Sequence, residues 1–149
     1  MSEQPFACVV DANVALKLFF EQPDSDRADG LFALLETSAP ARFYVPGIFY
    51  AECVNAFAKY VRLARITGEE ARNQLADLLA LDLSPVPTAG LTQDALEISL
   101  QYEIGGYDAL YVALSARVSA PFVTADEKLV RALAGKAFDV QSLSTFSTP

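Results

Sequence analysis

The chain has 149 residues, 52% of them hydrophobic, 20% charged and 11% aromatic, the composition of an ordered globular protein long enough to bury a core without disulfides or metals as staples. It contains no histidine, which excludes histidine general bases, Ser-His-Asp triads and histidine-ligated zinc together. A net charge of -8 works against indiscriminate coating of nucleic acid, while leaving room for a local basic patch that guides one specific strand.

Met1 to Pro5 has neither a basic segment nor the start of a long apolar one, and no apolar run reaches membrane-spanning length. The expectation is a cytoplasmic protein without membrane contact. Ala7 to Val10 reads as a buried strand, and a helix from about Asn13 to Phe20 ends at Glu21, Gln22 and Pro23. Ser25 or Asp26 caps a second helix to about Thr37, and Arg42 to Val45 is the next strand. Pro46 suits a helix start, with apolar positions continuing through Ile66 until Thr67 and Gly68 stop it.

Glu69 to about Leu81 is helical, Leu83 to Val86 a short strand, and Thr92 to about Tyr102 helical again. After Gly105 and Gly106 come a helix from Tyr107 to Arg117, a strand from Phe122 to Thr124, a helix from Glu127 to Ala134 closed by Gly135, and a last strand from Phe138 to Leu143. Ser144 to Pro149 reads as a frayed tail. Cys8 and Cys53 lack any pairing framework and read as small core residues. Short strands alternating with helices predict one domain over residues 1–149, a three-layer α/β/α sandwich around a central parallel sheet of five strands.

Four acids stand at unusual places in this pattern. Asp11 closes the first strand, Glu52 interrupts the apolar stretch Ile48 to Val54, Asp108 opens the apolar stretch Ala109 to Ala116, and Asp126 follows the strand ending at Thr124. A carboxylate in apolar surroundings is costly unless a cation holds it. Ligands of such sheets bind outside the carboxyl ends of the strands, where Asp11 and Asp126 sit, and Asp108 falls in the first turn of its helix, where the macrodipole favours a negative charge. Glu52 reaches the same edge from its helix, with Asn55 and Lys59 continuing one narrow polar stripe.

Each acid also has a plain structural reading. Asp11 can form an Asx turn, Asp108 can be a helix-start acid, Asp126 can be a first-turn acid beside a capping box of Thr124 and Glu127, and Glu52 can lie on an exposed face. Those readings must all hold independently, whereas one metal site explains the four together. Two carboxylates about 4 Å apart repel by roughly 4 kcal/mol at an effective dielectric near 20. A magnesium or manganese ion supplies the missing charge, activates water and stabilises a phosphoryl transition state.

Four segments then carry a resemblance. They are Val9, Val10, Asp11, Ala12, Asn13 and Val14; Val45, Pro46, Ile48, Glu52, Asn55 and Ala56; Tyr107, Asp108, Ala109, Tyr111, Ala113 and Leu114; and Thr124, Ala125, Asp126 and Leu129. In this order and at these separations the chain resembles the PIN-domain ribonucleases, and among them the VapC-like toxins of toxin-antitoxin pairs. The resemblance spans nearly the whole chain. It implies a sheet in the order third, second, first, fourth, fifth strand, with the acids meeting at its carboxyl edge. It also implies a magnesium-dependent (or manganese-dependent) endoribonuclease that cuts RNA, a cognate antitoxin protein, and a homodimer. On this reading Asp11 and Asp108 hold the metal, Asp126 acts through a second ion or bound water, and Glu52 positions or deprotonates the attacking water. Asn13 and Thr124 orient these groups.

Lys59, Arg62 and Arg65, spaced three apart, are the candidate RNA contacts, with Lys128 and Arg131 a second pair beside Asp126. An ordinary solvated helix face accounts for such a run more simply than a dedicated RNA track. Phe19, Phe20, Leu31, Phe32, Leu34, Leu35, Phe49, Tyr50, Phe57 and Tyr60 crowd the first three helices, most as core and a remainder for a dimer face and an antitoxin groove. Two rivals stay open. One is a phosphatase or phosphotransferase with Asp11 as nucleophile, weakened because Asn13 stands where haloacid-dehalogenase-like enzymes carry a second aspartate; the other is a non-catalytic module that binds a metal or a basic partner.

Overall fold

The computed structural model describes residues 5–37 and 41–148. The readings of Met1 to Gln4 and of Pro149 lie outside the described residues. Five strands, β1 (Ala7–Val10), β2 (Arg42–Pro46), β3 (Ser84–Val86), β4 (Phe122–Thr124) and β5 (Val140–Ser142), form one sheet in the order β3-β2-β1-β4-β5. Every pairing is parallel, with Cys8 opposite Phe43 and Val10 opposite Val123. This is the order and the three-layer α/β/α sandwich that the resemblance implied. Central strands of a parallel sheet are covered on both faces, and Cys8, Val9 and Val10 are accordingly buried without interruption.

Helices α1 (Ala12–Ala15), α2 (Ser25–Phe32) and α3 (Leu34–Thr37) connect β1 to β2; α4 (Ile48–Arg62) and α5 (Gly68–Leu79) connect β2 to β3. Helices α6 (Thr92–Tyr102) and α7 (Gly106–Val118) carry the chain across to β4, and α8 (Glu127–Leu133) leads to β5. The chain therefore winds outward from β1 through β2 to β3, then crosses back to β4 on the other side of β1. The reversal lies between the carboxyl ends of β1 and β4, the crevice where such sheets place their ligands. Helix α7 packs on β1, β2 and β4 and under α6, which is why Ala109 to Ser115 are all buried and its apolar residues run without a polar face.

The differences from the sequence expectation have local causes. The first helix is one α turn followed by a 3₁₀ turn, Leu16–Leu18, rather than a continuous helix to Phe20. Ser25 caps no helix side-chain-first; its hydroxyl accepts from Gln22 N at 2.9 Å and donates to Phe20 O at 3.2 Å, closing the turn. Asp24 stands at the α2 N-cap with φ 68°, and the expected helix to Thr37 divides into α2 and α3. Between α4 and α5, Thr67 and Glu70 form a capping box.

Helix α4 starts at Ile48 and stops at Arg62, short of the expected Ile66. Ala64 adopts φ 57°, with its N–H donating to Val61 O and the Arg65 N–H donating to Tyr60 O, both at 2.9 Å. This is a Schellman closure with alanine in the place glycine usually holds, so no glycine in the sequence announced it. A 3₁₀ turn at Thr88–Leu91 had no sequence signal, and β5 is shorter than the expected Phe138 to Leu143. In the segment expected to fray, the Ser144 hydroxyl donates to Glu127 Oε1 at 3.1 Å and the Phe146 ring lies 6.0 Å from that of Phe6.

Cys8 and Cys53 are free and buried. Burial pushes both thiols up, Cys53 to about 12, so neither supplies a reactive thiolate near neutrality. Among the described residues no helix is long and apolar enough to cross a membrane.

Candidate active site

Asp11 stands one residue past β1 and is 6% exposed. It serves as the N-cap of α1, its Oδ1 accepting from Asn13 N at 3.3 Å. Thr124, the last residue of β4, is fully buried and donates its hydroxyl to Asp11 Oδ2 at 2.8 Å. The same hydroxyl accepts from Asn13 Nδ2 at 3.2 Å and from Asp126 N at 3.1 Å, so both its lone pairs are taken and its proton is committed to Asp11. Asn13 Oδ1 in turn accepts from Ala125 N at 3.1 Å, which locks the amide plane. One network thus ties the ends of β1 and β4 together through Asp11, Asn13 and Thr124.

Asp126 is the N-cap of α8 itself, its Oδ1 accepting from Lys128 N and Leu129 N at 3.0 and 3.2 Å. The capping box of Thr124 and Glu127 considered from the sequence does not form, because Thr124 is spent on Asp11 and Glu127 bonds Ser142 instead. Asp108 lies in the first turn of α7, and its half-buried carboxyl lines an open cleft with Glu52, Gly105, Gly106 and Tyr107. Glu52, in the second turn of α4, accepts at Oε1 from the Tyr111 hydroxyl at 2.7 Å.

Charge couples these acids. Burial pushes Asp11 up to about 7; the Thr124 hydroxyl resists this, while the charges of Glu52 and Asp108 add to it. Glu52 is raised by burial first, against the Tyr111 hydrogen bond, and further by Asp108. Asp108 is raised by burial and then by the charge of Asp126. No lysine or arginine pairs with them: among the described residues the ion pair present is Arg27 with Asp24 at 3.7 Å, which includes none of these acids.

The donor set is oxygen throughout and carries an excess of negative charge, the chemistry a hard dication takes. Among the described residues no three of these side chains stand close enough to form a ready-made cage. Glu52 and Asp108 share one cleft, and the Thr124 hydroxyl links Asp11 to the backbone N–H of Asp126.

Tyr111 is the functional residue the sequence reading placed in a motif without giving it a role. Its ring is buried and stacked on Phe122 with centroids 5.2 Å apart, and burial and the neighbouring acids hold its hydroxyl protonated, a donor to Glu52. The signal was available: a tyrosine inside an apolar helix must find a partner for its hydroxyl, and Tyr111 lies one turn on from Asp108.

The candidate RNA cations divide. Lys59 and Arg62 are exposed on α4, but Arg65 lies beyond the helix end, after the Ala64 closure, with its guanidinium 5.6 Å over the Tyr60 ring. They are therefore not three cations on one helix, as the spacing implied. Lys128 and Arg131 are exposed on α8. Of the ten crowded apolar residues none is exposed. The large apolar side chains left to solvent include Leu96 and Leu100 on α6, which the sequence reading did not single out, and Tyr107 on α7, which it placed in the third segment of the resemblance.

A pH dependence follows from the acidic edge. Asp11 titrates higher when folded than its ordinary value of 3.8, so the native state binds the proton more tightly and its stability falls as pH rises from about 4 to about 7. Glu52 and Asp108 act in the same direction. With chelator present, the thermal midpoint is expected to drop between pH about 4 and about 7, to drop less in Asp11→Asn, and to recover on adding manganese. Scanning fluorimetry checks this; equal slopes for the wild-type chain and Asp11→Asn would show that Asp11 carries no such strain.

The comparisons with known proteins agree with this geometry. The PIN domain family profile matches residues 8–134. Ribonuclease VapC3 of Pyrobaculum aerophilum is 26% identical over 123 residues, which span 81% of this chain and 90% of that protein. Among solved structures, PAE2754 of Pyrobaculum aerophilum superposes with a TM-score of 0.70 at 18% identity, covering 94% of this chain and 91% of its own. VapBC2 of Rickettsia felis, bound to a promoter DNA fragment, gives 0.68 at 17% identity, covering 92% and 98%. VapC20 of Mycobacterium tuberculosis, a sarcin-ricin loop cleaving toxin, gives 0.61 at 16% identity, covering 84% and 94%. The structural likenesses are likenesses of fold; with the profile spanning β1 to the end of α8, the chain belongs to the PIN domain family.

Proposed function

We propose that this chain is a magnesium- or manganese-dependent endoribonuclease and the toxin of a toxin-antitoxin pair. The observation that supports the reading is a chain of charge coupling near the switch point of the sheet, in which Glu52 and Asp108 line one cleft and act on Asp11, and Asp126 acts on Asp108, with no lysine or arginine among the causes. Support comes from a relative named as a ribonuclease and from fold neighbours that are toxins or toxin-antitoxin complexes.

In the proposed reaction Asp11 and Asp108 would hold the ion, and Asp126 would add its charge through a second ion or a water. The ion supplies charge stabilisation at the phosphoryl oxygens and lowers the pKa of water. Glu52, raised by burial and fixed at Oε1 by Tyr111, keeps its other oxygen to orient the attacking water and take its proton. Water then displaces the leaving ribose oxygen in line at phosphorus, and the phosphodiester opens. Thr124 and Asn13 hold Asp11 at a set orientation throughout.

An Asp11 nucleophile fits less well. Two residues on, where such enzymes carry a second aspartate for acid-base work, stands Asn13, whose amide is engaged with Thr124 and Ala125 N.

The toxin reading brings an antitoxin protein as partner, RNA as substrate and a homodimer. Leu96 and Tyr107, 59% and 68% exposed, line one apolar groove between α6 and α7, the face such a dimer would cover.

Incubating the chain with structured RNAs, with and without manganese, is expected to show metal-dependent cleavage. Asp108→Asn should abolish it, by about a thousandfold or more, with the fold intact. Tyr111→Phe should slow it by roughly tenfold to a hundredfold, chiefly in kcat, since it frees Glu52 without removing it. Full activity in Asp108→Asn would end the assignment. Sedimentation at several concentrations is expected to show a dimer that Leu96→Glu weakens; a strictly monomeric wild-type chain would remove the dimer.

A further inference from the structure

On the other side of Asn13 from the acids lies a cavity of about 330 Å³, between the α1 turn, the segment that follows it and the C-terminal half of α4. We propose that this cavity is a nucleotide subsite, in which Lys59 and Arg65 hold the phosphate and the apolar wall holds the base of the residue next to the scissile bond. The proposal deepens the ribonuclease reading and rests on it.

Charge is the first argument. The cavity's charged lining residues are Lys59 and Arg65, with no acid among them, in a chain whose net charge is -8. A polyanion repelled by the protein at large finds here a confined positive spot, where low-dielectric walls strengthen attraction. The second argument is connection. Asn13 lines the cavity, donates to Thr124 at 3.2 Å, and Thr124 donates to Asp11 at 2.8 Å. Two hydrogen bonds thus separate a ligand here from the acid at the centre of the proposed chemistry.

The third argument is rigidity. Tyr60 stacks on Phe20 with centroids 4.0 Å apart, and its hydroxyl accepts from Gln22 Nε2 at 3.3 Å. Gln22 Oε1 accepts from Lys17 Nζ at 3.3 Å, which orients the amide. Arg65 is held over Tyr60 by the Schellman closure at Ala64. A guanidinium already laid on an aromatic face offers a flat surface for a base and a fork for a phosphate. Leu16, Ala56 and Leu63 complete an apolar wall, and the Asn13 and Gln22 amides supply the polar edge a base requires. The volume falls within the range of small-molecule sites.

The test measures nucleotide binding by the 149-residue chain with chelator present, so that no turnover enters. Uridine and adenosine 5′-monophosphates, the matching nucleosides and inorganic phosphate are titrated calorimetrically into wild type, Lys59→Gln, Arg65→Gln, Ala56→Leu and the remote control Lys136→Gln. At least one monophosphate is expected to bind, with inorganic phosphate weaker by roughly tenfold or more. Arg65→Gln and Ala56→Leu should each weaken it by about tenfold, the first by removing the fork and the second by filling the space, while Lys136→Gln leaves it unchanged. Should Ala56→Leu not fold, the Lys59 and Arg65 variants decide.

Phosphate binding as tightly as the monophosphates would overturn the proposal, as would equal losses in Lys136→Gln and Arg65→Gln. So would cavity variants that keep nucleotide affinity and instead lose a protein partner. Because binding is read without the metal, a chain that binds nucleotides but cuts no RNA defeats the ribonuclease reading alone. An active nuclease with no nucleotide affinity here defeats the subsite alone.

Discussion

A carboxylate buried at the reversal point of a parallel sheet is the constraint from which the rest of this structure follows. Asp11 sits where β1 ends, and its oxygens are satisfied by Asn13 N–H and the Thr124 hydroxyl rather than by a cation. The bond from Thr124 crosses from β4 to β1, so the parallel pairing of Val10 with Val123 is a condition for it. A one-residue slip between these strands would turn the Thr124 hydroxyl to the other face and leave Asp11 with burial and no donor. Sheet register and acid geometry are therefore one requirement.

Around that group the protein tolerates repulsion it could have avoided. Asp11, Glu52 and Asp108 are each raised by burial and by one another or Asp126, and two of them, Glu52 and Asp108, line one cleft. Such clustering is the usual mark of function rather than of stability. Tyr111 gives the arrangement its discipline. From the fully packed interior of α7 it reaches Glu52 on α4, so two helices on different crossovers agree on the place of one carboxyl.

The two concavities differ in charge, and the difference would reconcile an acidic protein with the polyanionic substrate proposed for it. Acids gather on the side of Glu52 and Asp108, while Lys59 and Arg65 line the cavity beyond Asn13. The backbone makes this division. Ala64, in a left-handed conformation that alanine rarely takes, ends α4 early and swings Arg65 back over Tyr60 instead of letting it continue outward along a helix. Local strain of this kind survives where the surroundings determine it, here the two hydrogen bonds of the closure.

Much of the fold was legible in the residues alone. Val9 and Val10, Phe122 to Thr124 and Thr92 to Tyr102 were placed as the structure has them, because burial on both faces and helical periodicity write themselves into runs of apolar residues. The four acids drew attention for the converse reason, that polar groups amid apolar neighbours need an explanation, while Asn13 and Thr124 entered as site residues only through the family resemblance. What stayed hidden depends on partners distant in the chain. No spacing told that the Thr124 hydroxyl would serve Asp11 rather than Glu127, that Tyr111 would hold Glu52, or that Arg65 would leave the helix shared by Lys59 and Arg62. Composition and periodicity determine which side chains are buried and in what local form; only the tertiary structure decides which of them meet, since a hydrogen bond across more than a hundred residues carries no periodic trace in the sequence.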